Sequence, residues 1–302
     1  MATPSVVTLA PGSPLPARSR PRELVAYCRR NPQFVVGLAL VVALVLFGLV
    51  GRLFVHAGDA VAASALPSQP PSHGHALGTD SQGRDLMAVM VTGLPLTLWV
   101  GFIAGAVGVG LGVILGLLAG FRGGVVDAVV RTVVDSLLTV PGLLVLVVIT
   151  ASIKGVISIN VMALVIASLA WMHPTRTIRA QVLSLRERAY LQVAYFSGMR
   201  PLGIVFRELL PNLLPYIAAS FVGAVAAAVL ATVGLEALGL GPQNTNDVGM
   251  TVHWAIYYAA MLRGMWWWWV PPIVVLVALF LGLYLMAAGL DEFANPRRRR
   301  AA

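Results

Sequence analysis

The sequence predicts an all-α integral membrane protein with six transmembrane helices and both termini in the cytosol. Three observations point there. Of the 302 residues, 58% are hydrophobic and only 11% are charged, well under the share in a soluble domain, so much of the surface must face lipid. The apolar residues fall in six long runs, about 34–55, 94–119, 128–152, 157–173, 214–235 and 268–289. A membrane helix needs about 20 such residues, whereas a closed barrel would show short alternating segments. With the N-terminus inside, the outer segments hold Arg52, Arg84, Lys154 and Arg263, and all the rest of the 21 basic residues lie inside. That is a strong positive-inside bias, so the net charge of +9 reports topology and not nucleic-acid binding.

Residues 1–33 are basic and carry Pro4, Pro11, Pro14, Pro16 and Pro21, the composition of a disordered cytosolic tail. The first span, 34–55, is longer than the apolar core of a signal peptide and is expected to stay uncleaved. Segment 56–93 is extracytoplasmic and rich in Pro, Ser, Gly and His. Gly78 and Gly83 mark turns there, with Asp80 and Asp85 flanking Arg84. His73 and His75 lack a third ligand type, so no metal is expected. The lone Cys28 permits no intrachain disulfide. A core of five helices then runs from 94 to 289, interrupted by a cytosolic loop at 176–213, and 290–302 forms a basic cytosolic tail ending in Arg297 to Arg300.

Within the core, Gly108, Gly112, Gly116 and Gly120 follow Gly101 and Gly105 along one helix face. Such a stripe lets another backbone approach closely, and a pore-lining face is the other reading. Asp127, Arg131 and Asp135 stand at i, i+4 and i+8 at the inner end of the third span. There Arg131 can pair with either carboxylate as a structural ion pair. Pro141 should kink that helix. Trp266 to Trp269 precede Pro271-Pro272, which reads as an interfacial anchor opening the sixth span, or as an aromatic platform for a sugar.

The stretch 176–215 is polar and arginine-rich between two apolar spans. Leu185 to Ser197 permits a short helix, with Leu191, Ala194, Tyr195 and Gly198 near one stripe, and Gly198 would end it. Pro201 to Leu209 permits a second helix, whose continuation Pro211 discourages. The physics leaves two readings open: a compact knob for a cytosolic partner, or an amphipathic hairpin held on headgroups by its arginines.

Resemblance shifts the balance. The loop is similar to the EAA coupling loop of permease subunits of bacterial ABC importers, with Gln192, Val193 and Ala194 at the E-A-A positions, Gly198 at the glycine and Leu210-Pro211 at the end. Glu and the first Ala of that pattern are replaced. Arg186-Glu187-Arg188-Ala189 and Leu210-Pro211-Asn212 resemble the oligopeptide/dipeptide branch. So do Gly78-Thr79-Asp80 with Gly83-Arg84-Asp85, Ala119 to Gly124, Leu238 to Gly241, and Gly289 to Glu292 with Asn295-Pro296-Arg297. The resemblance covers the chain from about residue 24.

It implies a type I ABC importer permease fold in the bacterial inner membrane, forming half of a translocation pathway for oligopeptides or dipeptides. A sister permease subunit would complete a heterodimer, two ATP-binding subunits would drive it, and an extracytoplasmic substrate-binding protein would deliver solute. The coupling residues would be Glu187, Ala189, Gln192, Ala194, Gly198, Leu210 and Pro211. Relatives of the same architecture carry oligosaccharides, nickel or glutathione, and the Trp run with the Gly289–Arg297 ending resembles members associated with oligosaccharides.

The sequence has no G-x-x-x-x-G-K-[ST], so ATP would be bound by partner subunits and this chain needs no cofactor. It also lacks H-E-x-x-H and G-x-S-x-G, which argues against an intramembrane enzyme and gives no catalytic residue. A self-contained secondary transporter would need an ionisable group near mid-membrane, and the predicted spans place no carboxylate there.

Overall fold

The computed structural model describes Cys28 and residues 31–294. The predicted tails at 1–33 and 290–302, with Arg297 to Arg300, fall largely outside these residues. The described residues are helical apart from loops and one isolated bridge between Thr79 and Asp85. Five helical stretches are long and apolar enough to cross a membrane: 32–53, 86–122, 159–186, 201–237 and 266–292. A sixth crossing requires two shorter helices, α3 (Gly124–Leu138) and α4 (Gly142–Ser152), which are bent by 82° at their junction.

The bundle is built around α2 (Leu86–Arg122), and its glycines set the distances. A Cβ on Gly101 or Gly105 would strike Val225 or Val229 of α8 (Leu210–Ala237). One on Gly108 would strike Ala170, the last residue of α5 (Ile159–Ala170). On Gly112, Gly116 and Gly120 it would meet Pro174, Ile178 and Val182 of α6 (Met172–Arg186). The stripe is therefore a packing face and not a pore lining. In lipid, where apolar side chains gain little by leaving their solvent, such close backbone contact is a main source of helix association.

The first helix, α1 (Pro32–Val50), lies against the last, α10 (Trp266–Ala294), in the same way. Gly37 abuts the backbone of Gly282 and Met286, and Gly289 abuts Phe34.

At the end where α2 begins, residues 51–85 form a cap. Gly78 (φ 70°) and Gly83 (φ 74°) make its left-handed turns. Asp80 holds it together by accepting from the backbone of Gln82 and Arg84 and from Arg84 Nε at 2.6 Å. Arg84 then reaches Asn246 at 3.0 Å. Asp85 caps α2 by accepting from Ala88 N at 2.9 Å and also bonds His75 Nδ1 at 2.6 Å.

The tryptophan run only partly matches the interfacial reading. Trp266 is exposed, but Trp268 is fully buried and stacks on Tyr258, while Trp267 Nε1 donates to Thr79 O. Trp267 thus fastens the cap to α10, and the buried Trp268 offers no free face for a sugar. Pro271 and Pro272 sit inside α10, past the first turn where they were expected.

Pro141 does more than kink its helix. It ends α3 and starts α4 as the N-terminal cap residue, giving an elbow of exposed backbone at Thr139–Gly142. Pro211 does less than expected. Leu210 N donates to Val205 O through a π-helical turn at Ile204–Leu209, and Pro211 then enters the first turn of α8, where its missing N–H costs nothing. The second loop helix thus runs on into α8.

Candidate coupling surface and solute cavity

The loop at 187–209 folds as a knob on the end of the bundle opposite the cap. After α6 a short turn leads to α7 (Ala189–Phe196), which buries Ala194 and packs Leu191 among Ile178, Val182, Ile204, Leu209 and Leu213. The helix ends in a Schellman arrangement: Gly198 N donates to Tyr195 O at 3.1 Å and Met199 N to Ala194 O at 3.3 Å. This requires Gly198 at φ 76°, so the glycine expected to stop the helix does so. Arg186 Nη1 ties the knob to the end of α2 through Gly120 O at 2.9 Å. Burial, reinforced by the neighbouring Glu208 carboxylate, pushes the Tyr190 phenol up.

The expected coupling residues divide into two groups. Glu187, Ala189, Gln192, Gly198 and Pro211 are exposed. Ala194 is buried and Leu210 half-buried, so these two position the knob without forming its outer face. The predicted stripe splits likewise: Leu191 and Ala194 face inward, Tyr195 and Gly198 outward. The outer face carries Val193, Tyr195, Phe196, Leu202 and Phe206, of which Phe196 is 88% exposed. Exposed apolar side chains in such number at the end of a bundle mark an interaction surface.

The ion pair expected among Asp127, Arg131 and Asp135 is rearranged. Asp127 is taken by Arg179 of α6 in a bidentate bond, with Nε to Oδ1 and Nη2 to Oδ2 at 2.6 Å. Arg131 keeps only Asp135, at 3.5 Å and well exposed. Helix spacing pointed to i+4 partners, while the tertiary fold brought in an arginine 52 residues away. Asp127→Asn should cost about 1–3 kcal/mol, because it strips a charged bidentate bond. Arg131→Gln should cost less than about 0.5 kcal/mol, as exposed pairs do. Thermal unfolding of the two variants in detergent checks the difference.

A cavity of about 640 Å³ opens at the elbow between α3 and α4, walled by α5, α6 and α8. Its lining is mostly apolar, with His173, Thr177 and Ser220 as the polar side chains. Beside it lies a cleft of about 350 Å³ lined by Arg131, Asp135, Thr175, Arg176 and Arg179.

At the cap end the sequence reading missed a pair of carboxyls. Glu236, placed just outside a span by the apolar pattern, lies within α8 and is buried, as is Asp247, and its Oε2 has no hydrogen-bond partner among the described residues. Asp247 also caps α9 (Val248–Tyr257), accepting from Met250 N at 2.7 Å, and burial pushes its carboxyl up. The sequence signal was Gly241 and Gly249, whose lack of side chains makes room for Glu236.

Residues 112–300 match the family described as the binding-protein-dependent transport system inner membrane component. The chain is 30% identical over 175 residues to the oligopeptide transport system permease protein OppC of Mycobacterium tuberculosis, covering 58% of this chain and 60% of that relative's length. It is 28% identical over 244 residues to the dipeptide transport system permease protein DppC of Alkalihalophilus pseudofirmus, covering 79% of each. It is 27% identical over 274 residues to the oligopeptide transport system permease protein OppC of Bacillus subtilis, covering 90% of this chain and 88% of the relative.

Proposed function

The chain belongs to the family of inner-membrane components of binding-protein-dependent transport systems, and we propose that it is a non-catalytic permease subunit of an ATP-driven importer of oligopeptides or dipeptides. As a multi-pass inner-membrane protein, it would form half of the pathway, with a sister permease supplying the other half. Two ATP-binding subunits and an extracytoplasmic binding protein complete the assembly. In this reading α3 and α4 together make the third of six spans, both termini lie in the cytosol, and the cap at 51–85 faces outward. Peptide is the cargo that the relatives' names favour.

The observation that carries the proposal is the knob at 187–209. It is a rigid element, locked by the Gly198 turn and by Arg186, that presents aromatic and aliphatic side chains away from the bundle. Motion of a docked ATPase would pass directly into the fifth span, because the π-helical turn makes knob and span one continuous helix from 201 to 237. Co-purification with the ATPase and binding-protein subunits, followed by a ligand screen on the binding protein, tests assembly and cargo together. A binding protein that selects oligosaccharides and ignores peptides would move the chain to the sugar-carrying members of the same architecture.

A further inference from the structure

The elbow lines the cavity, and the cavity and the basic cleft share α3 and α6 as walls. The junction of α3 and α4 exposes irregular backbone at Thr139–Gly142. Such backbone is not left facing lipid; it is covered by protein or lines water. His173, Arg176 and Thr177 are exposed on α6 beside it. Val140, Pro141 and Gly142 line the open cavity, so of the two it is water that this face borders, an inference that rests on the transport reading above.

The cavity's Leu138 and Pro174 are close neighbours in the chain of the cleft's Asp135 and Thr175, so the two openings follow one another along α3 and α6. The charges in that cleft do not balance. Arg179 is taken up by Asp127, and Arg131 and Asp135 make one loose pair at 3.5 Å. Arg176 has no hydrogen bond or ion pair among the described residues, so one guanidinium is left over on an accessible wall.

We propose that this cleft is a subsite for the free carboxylate of a solute whose apolar body occupies the adjoining cavity. Arg176 is the principal donor and Arg131 the second. A volume of about 640 Å³ suits a small peptide, and the planar fork of arginine matches a carboxylate in two parallel bonds. Asp135 on the same wall keeps the net charge low, so the anion is held weakly enough to leave.

The test uses the full chain in nanodiscs of zwitterionic lipid, labelled with 15N-arginine, and N-acetyl-phenylalanine against its C-terminal amide as probes. The guanidinium resonance of Arg176, identified by its loss in Arg176→Lys, should shift saturably with the acid and stay in place with the amide. Read at Arg131, binding of the acid should weaken about tenfold in Arg176→Gln, the loss expected for one charged hydrogen bond. Equal shifts with acid and amide, or no shift, would overturn the subsite. So would a shift produced by anionic lipid without solute that the acid fails to reverse, which would assign the cleft to a headgroup. The readout needs neither ATP nor partner subunits, so its failure is distinct from failure of ATP-driven uptake.

Discussion

Gly198→Arg is expected to lower ATP-driven uptake by at least about tenfold, with membrane insertion retained, since truncating or blocking a central docking contact costs about 2 kcal/mol or more. Gly198 is exposed at the tip of α7, and a Cβ there would meet nothing within 4 Å, so the bundle itself is not crowded by the substitution. Two effects remain. The left-handed φ of 76° costs an ordinary residue about 1–2 kcal/mol and loosens the turn that aims Tyr195 and Phe196. A long cationic side chain would also stand on the apolar docking face. Gly198→Asn separates the two, because asparagine tolerates the left-handed region and adds far less bulk. Uptake and ATP hydrolysis measured in parallel should show Gly198→Asn near wild type, and Gly198→Arg with hydrolysis no longer tied to transport. Normal uptake by Gly198→Arg would remove the knob from the coupling path.

Gly112→Leu is the second large effect, and it acts on the bundle. A Cβ at Gly112 would lie 2.5 Å from Pro174 Cβ, 2.9 Å from Thr175 N and 3.1 Å from Trp171 O. Two of these neighbours are backbone and one is a proline ring, so none can swing aside. Overpacking of this kind costs about 3 kcal/mol, and here it would also push α6 outward, along with the cavity wall at His173 to Thr177. Gly110→Leu is the matched control, since Gly110 is exposed and a Cβ there meets nothing within 4 Å. Thermal unfolding in detergent should show a drop for the first variant and little change for the second. Equal stability of the two would mean that α2 and α6 do not pack through the glycine stripe.

The elements legible in the sequence were those with a strong local cause. Long apolar runs marked helices, four-residue glycine spacing marked the packing face of α2, and Gly198 marked the end of α7. What could not be read locally depended on partners distant in the chain. Asp127 had a good candidate at Arg131, and only the fold shows that Arg179 outcompetes it with a bidentate geometry that an i,i+4 neighbour does not match here. Pro211 carried a breaker signal, but a π-helical turn changes the hydrogen-bond register just before it and removes the conflict. Pro141 carried the same signal as Pro211 and broke its helix outright, so proline alone did not reveal which outcome to expect. Glu236 was hidden because a single carboxyl at the end of an apolar run looks like a boundary. Its burial depends on Gly241 and Gly249, which the following loop and helix supply. At the knob, the replaced Glu and Ala of the coupling pattern fall at exposed Gln192 and Val193, while Ala194, matching the pattern, is buried. The matching position preserves the fold of the knob, and the departures lie where a partner would make contact.

The most direct test of the account is solute uptake by proteoliposomes carrying this chain with its sister permease, ATPase subunits and binding protein. The same chain reconstituted alone is the comparison. The account predicts peptide uptake by the complete assembly only when ATP is supplied, and none by the chain alone with or without ATP. Uptake by the chain alone, driven by an ion gradient and indifferent to ATP, would contradict it.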